Sequence, residues 1–174
     1  MFGSAMALNT AAITRASGPM DKVKVWSGGD SGELFLHEGA PMNGAGAVVE
    51  KFNGEYINGI ALNKDTNRVF VVTSGKRIVC YDAVTCEKIS EVTNAHSKTI
   101  YQVALIPEGA EGTILTVSSD NTMKKWQLNE ESKELTEMAT IHQFEGAEET
   151  IDRQLSGLVC FMENDALQTV SVNL

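Results

Sequence analysis

Short runs rich in Val, Ile, Leu and Thr recur along this chain, separated by Gly, Pro, Asn, Asp and Ser. Runs of that length bounded by turn residues read as strands, and no segment carries a convincing helical period. The clearest set predicts strands at 100–105 (Ile-Tyr-Gln-Val-Ala-Leu), 113–117, 122–128 and about 135–144. Pro107, Gly109 and Gly112 punctuate the first gap, and Ser118-Ser119-Asp120-Asn121 the second. One unit earlier the same order gives 57–62, 69–73, 77–81 and 87–93. Before that come 6–14, 22–27, 33–37 and about 47–52, and at the end 157–162 and 167–173. The best helical candidate, Glu130 to Met138, is equally explained as a polar connection between strands.

The strands fall into four-membered groups with a period near 45 residues, and periods of about 40–45 signal propeller blades. Asp30 and Asp120 stand 90 residues apart, twice 45, with Gly75 midway. Tyr81 lies 45 residues before Trp126, so Tyr81-Asp82 takes the place of a Trp-Asp pair. Counting six on from Asp30, as Trp126 lies six on from Asp120, reaches Leu36 and the pair Leu36-His37. The fold expected is an all-β WD-repeat β-propeller, a partial ring of three to four four-stranded antiparallel blades. Its blade-like copies run about 5–52, 53–93, 94–145 and 150–174, the last incomplete.

The third copy carries the chemistry of the repeat. Ala95-His96 enters the blade, Thr116 sits on its second strand, Asp120 in the following turn and Trp126 on the third strand. His96, Thr116, Asp120 and Trp126 are expected to form a buried hydrogen-bonded relay. Polar groups inside a stack of sheets are tolerated only when paired, so the four are expected together or not at all. Gly75 removes the acid from the second copy, yet such a blade still folds on sheet-to-sheet burial.

Charge and composition narrow the function classes. With 43% hydrophobic residues in 174, one domain can bury a sizeable core. A net charge of −9 argues against nucleic acid, whose phosphates need a basic surface, and against an anionic membrane. No apolar run approaches membrane-spanning length, and Met1-Phe2-Gly3-Ser4 lacks a basic leader. Three cysteines, Cys80, Cys86 and Cys160, have neither metal-ligand spacing nor an even count, so reduced thiols of a cytoplasmic protein are expected.

Two possible sites of chemistry give way to plainer readings. Gly29-Asp30-Ser31-Gly32 resembles a serine-protease nucleophile loop. However, His37, His96 and His142 all follow Ser31, and Glu33 replaces the next glycine. Glu145, Glu148, Glu149 and Asp152 read as a solvated loop between blades. No phosphate-cradling loop exists, and Gly44-Ala45-Gly46 opens no helix. No catalytic residue, metal ligand or cofactor is expected.

Several stretches resemble the actin-interacting protein 1 family of two-propeller cofilin partners. Ser27-Gly28-Gly29-Asp30 through Glu38-Gly39-Ala40-Pro41 is similar to its turn and strand ending in Glu-Gly-Pro-Pro. Tyr81-Asp82-Ala83-Val84-Thr85-Cys86-Glu87-Lys88 resembles its Tyr-Asp-x-x-Thr-Gly-Glu-Lys. Ala95-His96, Ile100-Tyr101, the Asp120-to-Trp126 stretch and Ile151-Asp152-Arg153-Gln154-Leu155-Ser156-Gly157 follow in the family's order. Departures are Gly75, Cys86 in place of a glycine, and the absence of a Gly-His pair before Tyr56.

The resemblance implies part of a first propeller. It also implies a non-enzymatic, cytoskeleton-associated role: binding cofilin-decorated actin filaments and promoting their disassembly. The alternative is a WD-repeat scaffold for another intracellular complex, since fold alone does not separate the two. Partners expected are actin and cofilin, together with other blades or copies that complete the ring. An unfinished last blade leads to the expectation of a self-associating fragment. The partner face is expected at the d–a and b–c loops, including Glu38, 74–77, 94–99 and 118–121. Glu38 and Tyr101 are the candidate partner-binding residues.

Overall fold

A computed structural model describes residues 7–14, 23–39, 46–106, 112–142, 155–163 and 166–173. It is all-β, with no helix among the described residues. Three antiparallel four-stranded sheets follow one another along the chain. The first comprises β1 (Leu8–Thr14), β2 (Lys24–Gly29), β3 (Glu33–Glu38) and β4 (Ala47–Lys51). The second comprises β5 (Ile57–Asn63), β6 (Arg68–Thr73), β7 (Ile78–Asp82) and β8 (Lys88–Val92). The third comprises β9 (Ile100–Leu105), β10 (Thr113–Ser118), β11 (Thr122–Asn129) and β12 (Glu134–His142). A two-stranded sheet of β13 (Leu155–Glu163) and β14 (Ala166–Asn173) comes last. Glu130 to Lys133 forms a turn and β12 starts at Glu134, so the alternative helix is not formed.

Each four-stranded sheet is a meander of strands a to d, and successive sheets stack face to face with their a strands adjacent. Stacking on both faces explains why the middle strands lose the polar–apolar alternation of a half-buried strand. In β6, Val69 and Val71 face the first sheet, while Phe70 and Val72 face the third; all four are fully buried. The first interface centres on Trp26, Leu34, Phe52, Ile57 and Tyr81, the second on Phe70, Ile78, Ile100, Ile114 and Trp126. This burial is the main stabilising term.

A polar pin repeats at the inner strands. A bulge near the start of β1, β5 and β9 lets one side chain reach sideways. Asn9 Nδ2 donates to the Ile57 carbonyl (3.2 Å), and Asn58 Nδ2 donates to the Ile100 carbonyl (2.8 Å). Tyr101 holds the same station in the third sheet. At the other end of the sheets Arg68, mostly buried, bridges its own blade to the next through Asp82 (2.9 Å) and Glu130 (2.8 Å).

The register corrects the alignment of the first copy. Trp126 pairs with Ile114, Tyr81 with Val69 and His37 with Val25, so His37, not Leu36, holds the Trp126 station. In the b–c turns Asn121, Lys76 and Gly32 share a positive φ (63°, 67° and 68°). Their amides donate to the carbonyls of Ser118, Thr73 and Gly29 respectively. The residue equivalent to Asp120 and Gly75 is therefore Ser31; Asp30 matches Ser74 and Ser119. The first copy is one residue short of the 45-residue spacing, a difference that counting along a degenerate repeat conceals.

Candidate functional site

The b–c turns and d–a loops gather at one edge of the stack, tied together by Phe52 N–H to the Gly32 carbonyl (2.8 Å) and Ala95 N–H to the Lys76 carbonyl (2.9 Å). In the third blade this edge is held by a chain of side chains. The indole N–H of Trp126 donates to Thr116 Oγ1 (2.9 Å), and Thr116 Oγ1 lies 2.8 Å from His96 Nε2. An indole can only donate, so the threonine oxygen accepts from it and its hydroxyl hydrogen points to His96 Nε2. The Nδ1 side then faces Asp120 Oδ2 at 3.1 Å and Thr122 Oγ1 at 3.0 Å.

Asp120 also accepts from the Ser97 amide (2.9 Å), the Thr122 amide (3.0 Å) and the Thr122 hydroxyl (2.6 Å). Desolvation pushes its carboxyl up, but the bonds from His96, Thr122 and Ser97 outweigh it and hold the carboxyl well below the usual carboxylate range. The physical result is a rigid joint between the entering loop and the turn, with its polar atoms satisfied inside the blade.

The other two blades solve the same problem differently. In the first, Ser27 and His37 stand at the Thr116 and Trp126 stations, with Oγ and Nε2 3.1 Å apart. In the second, those stations hold Val71 and Tyr81, and Tyr81 Oη donates instead to Glu50 Oε2 of the first blade (2.5 Å). Burial first, then the Glu50 carboxylate, pushes the Tyr81 hydroxyl far up from its ordinary value. Where Gly75 leaves the b–c turn without an acid, Glu55 comes in from the d–a loop. It accepts from Thr73 Oγ1 (2.6 Å) and from Arg77 Nε (2.7 Å). Arg77 continues to Glu91 (2.8 Å), Glu91 to Lys88 (3.0 Å) and Lys88 to Glu50 (2.8 Å), binding two blades in one network.

Tyr56 is a large side chain exposed on this face, 53% accessible, at the junction of the d–a loop with β5. Its backbone is clamped to the adjacent turn: Tyr56 N–H donates to Ser74 Oγ (2.8 Å), and Ser74 N–H to the Tyr56 carbonyl (2.9 Å). Neither Tyr56 nor Glu55 stood out from the sequence. Their common signal is an acid and an aromatic in the entering loop of a blade whose turn carries glycine at the aspartate station.

The remaining sequence candidates sit elsewhere. Glu38 pairs with Lys24 across the sheet and forms a salt bridge with it at 3.1 Å. That is the a–b and c–d end of the blade, so Glu38 does not join the face that holds 74–77, 94–99 and 118–121. Strand c runs away from the b–c turn, and a residue at its far end cannot lie beside that turn. Tyr101 is half-buried and borders a polar cavity of about 280 Å³ with Asn9, Thr10, Asn58, Gly59 and Gln102 along the inner strands.

Asp30 accepts from Asn9 Nδ2 (2.8 Å), an inner-strand contact. Burial pushes the free Cys80 thiol up to about 12, and also raises that of the free, half-buried Cys86. The Cys160 thiol and the acidic residues Glu145, Glu148, Glu149 and Asp152 lie outside the described residues. Among the described residues, no three His, Cys, Asp or Glu side chains are grouped to hold a metal ion.

No protein-family model matches the chain. WD repeat-containing protein 1 of Bos taurus is 25% identical over 149 residues, covering 84% of this chain and 22% of that protein. Its namesakes in Mus musculus and Rattus norvegicus are 24% identical over the same shares. The chain therefore spans about a fifth of the length of these relatives. The crystal structure of the Cps50 (Swd1) β-propeller domain of Myceliophteria thermophila matches with a TM-score of 0.65 at 11% identity, over 92% of this chain and 51% of that one. That likeness is one of fold. The chain folds as a partial β-propeller of the WD-repeat kind, and it resembles the actin-interacting protein 1 family.

Proposed function

We propose that this region contributes to a non-enzymatic, cytoplasmic actin regulator that binds cofilin-decorated filaments and promotes their disassembly. The observation that carries the reading is similarity to WD repeat-containing protein 1, an actin-interacting protein 1 homologue, across 84% of the chain. The geometry supports a docking role over a catalytic one. On the loop face His96, Asp120 and Glu55 are taken up by internal hydrogen bonds, while Tyr56 is presented to solvent. A rigidly held, exposed tyrosine is the kind of side chain that anchors protein interfaces. A scaffold for a different intracellular complex is the second reading, and it draws on the fold alone.

Co-sedimentation tests the proposal. The chain should pellet with actin filaments much better when cofilin is present, because the two proteins together offer a composite surface. Tyr56→Ala should lower the cofilin-dependent fraction while costing no more than about 0.5 kcal/mol of stability. Tyr101→Ala compares the inner-strand candidate directly. With a net charge of −9 on this chain, added salt should weaken pelleting only modestly. Pelleting that ignores cofilin across a concentration series would remove the actin reading and leave the scaffold.

A further inference from the structure

We infer that Glu55 is a positioning residue for the docking face: it delivers from the d–a loop the carboxylate that Asp120 delivers from the b–c turn one blade later, and thereby fixes the loop that presents Tyr56. The two arrangements are alternatives in space. A Cβ built on Gly75, the Asp120 station, would collide with the Glu55 carboxylate. Glycine at that position is thus a requirement of the incoming acid and not merely the decay of a repeat.

The acceptor geometry carries over in part: Arg77, at the Thr122 station, donates to Glu55 as Thr122 donates to Asp120, whereas Ser118 donates to the Lys98 carbonyl. Thr73 Oγ1, at the Ser118 station, donates to one Glu55 oxygen, and Arg77 Nε donates to the other. The Glu55 side chain is only 15% exposed, although its neighbours in the loop, Asn53 and Gly54, are open to solvent.

The loop has few other anchors. In the third blade the entering loop is held from beneath by the buried His96. At the matching station the second blade has Asn53, which is exposed. The 52–55 turn closes through Glu55 N–H to the Phe52 carbonyl (3.1 Å) with Gly54 at φ 78°, a link that bends the chain without docking it. Buried Phe52 holds the start of the loop, Glu55 docks its end one residue ahead of Tyr56, and Ser74 clamps Tyr56 from the following side.

The functional arm of the test rests on the actin–cofilin reading; a spectroscopic arm does not. Glu55→Ala and Gly75→Asp should each lower the melting temperature, the first by removing the carboxylate and the second by the collision. Combined in one chain they should restore much of the loss, since the introduced carboxylate then lies beside Thr73 and Arg77. That double variant keeps a carboxylate in the turn but removes the side-chain tether next to Tyr56. Its cofilin-dependent pelleting should fall about fivefold, the scale of a displaced interface residue.

With 3-fluorotyrosine incorporated, and the Tyr56 signal assigned through Tyr56→Phe, the fluorine resonance of Tyr56 should move in Glu55→Ala and in the double variant. Glu55→Gln, which keeps an acceptor for Arg77, should return most of the pelleting and of the resonance position. A double variant that stays as unstable as Gly75→Asp would overturn the exchange of carboxylates. A stable double variant with unchanged pelleting and an unchanged resonance would overturn the positioning role. If the unsubstituted chain shows no cofilin dependence, the actin reading falls and the fluorine resonance alone decides the role of Glu55.

Discussion

Ser27 Oγ lies 3.1 Å from His37 Nε2, across the same two strand positions at which Thr116 and Trp126 meet in the third blade. The first blade thus keeps a polar pair where the repeat places one, with a hydroxyl on strand b in both blades and an imidazole in place of the indole on strand c. Because His37 is only half-buried, water can replace a lost partner there, whereas Thr116 is fully buried.

Thr116→Val should therefore cost about 1–3 kcal/mol, because both the Trp126 N–H and His96 Nε2 lose their partner in a dry site. Ser27→Ala should cost less than about 1 kcal/mol, as expected where solvent can compensate. Urea melts of the two variants compare them directly. Equal losses would mean that the relay is no more demanding than the pair in the first blade.

Acid should dismantle the loop face before the cores. The Asp120 carboxyl lies below its ordinary range in the folded chain, so its contribution is complete above the unfolded value of about 4 and is lost as the pH falls from there toward the folded value. Asp82, Glu91, Glu130 and Glu137 are shifted in the same direction and steepen the same acid limb. The stability gap between the unsubstituted chain and Asp120→Asn should be widest near pH 7 and narrow steadily below pH 4. Thermal melts at stepped pH measure it, and a gap independent of pH would contradict the assigned shift.

Cys86 occupies a left-handed turn position, φ 65°, where the resembling family has glycine. Strain of a side chain in that region is about 1–2 kcal/mol, part of which glycine gives back through the flexibility of the unfolded chain. Cys86→Gly should raise stability by up to ~1 kcal/mol, less the packing of its partly buried thiol. A chemical melt showing a loss would place packing above backbone strain at this turn.

Thiol labelling should separate the two described cysteines. Cys80 is wholly buried between the second and third sheets, with its thiol pushed up to about 12, so it should stay unmodified by iodoacetamide at pH 8 until the chain unfolds. Cys86, half-exposed at a turn, should react in the folded state. Peptide mapping after a short labelling pulse reads both, and early modification of Cys80 would show that the second interface opens locally.

The strands and the third-blade relay could be read from the chain because they depend on local or strictly periodic information. Short apolar runs, turn residues, and His96, Thr116, Asp120 and Trp126 at the spacing of one blade all survive in the primary order. The first copy misled by one position, since Asp30 imitates a turn aspartate while the shared left-handed turn residue, Gly32, places Ser31 at that station. Glu38 was legible as a strand-end charge, yet its end of the blade follows from strand direction within the sheet.

The sequence by itself determined an all-β repeat with one intact polar joint, because hydrophobic spacing and turn chemistry act over a few residues and recur each blade. Only the tertiary structure decided that Glu55 fills the space above Gly75, that Tyr81 reaches back to Glu50, and that Tyr56 stands in the open. Those outcomes join residues about 20 to 30 positions apart, across a loop or between two stacked sheets. Which polar atoms meet there is settled by the stacking of whole sheets, where a buried group must find a partner and a space too small for two side chains admits one.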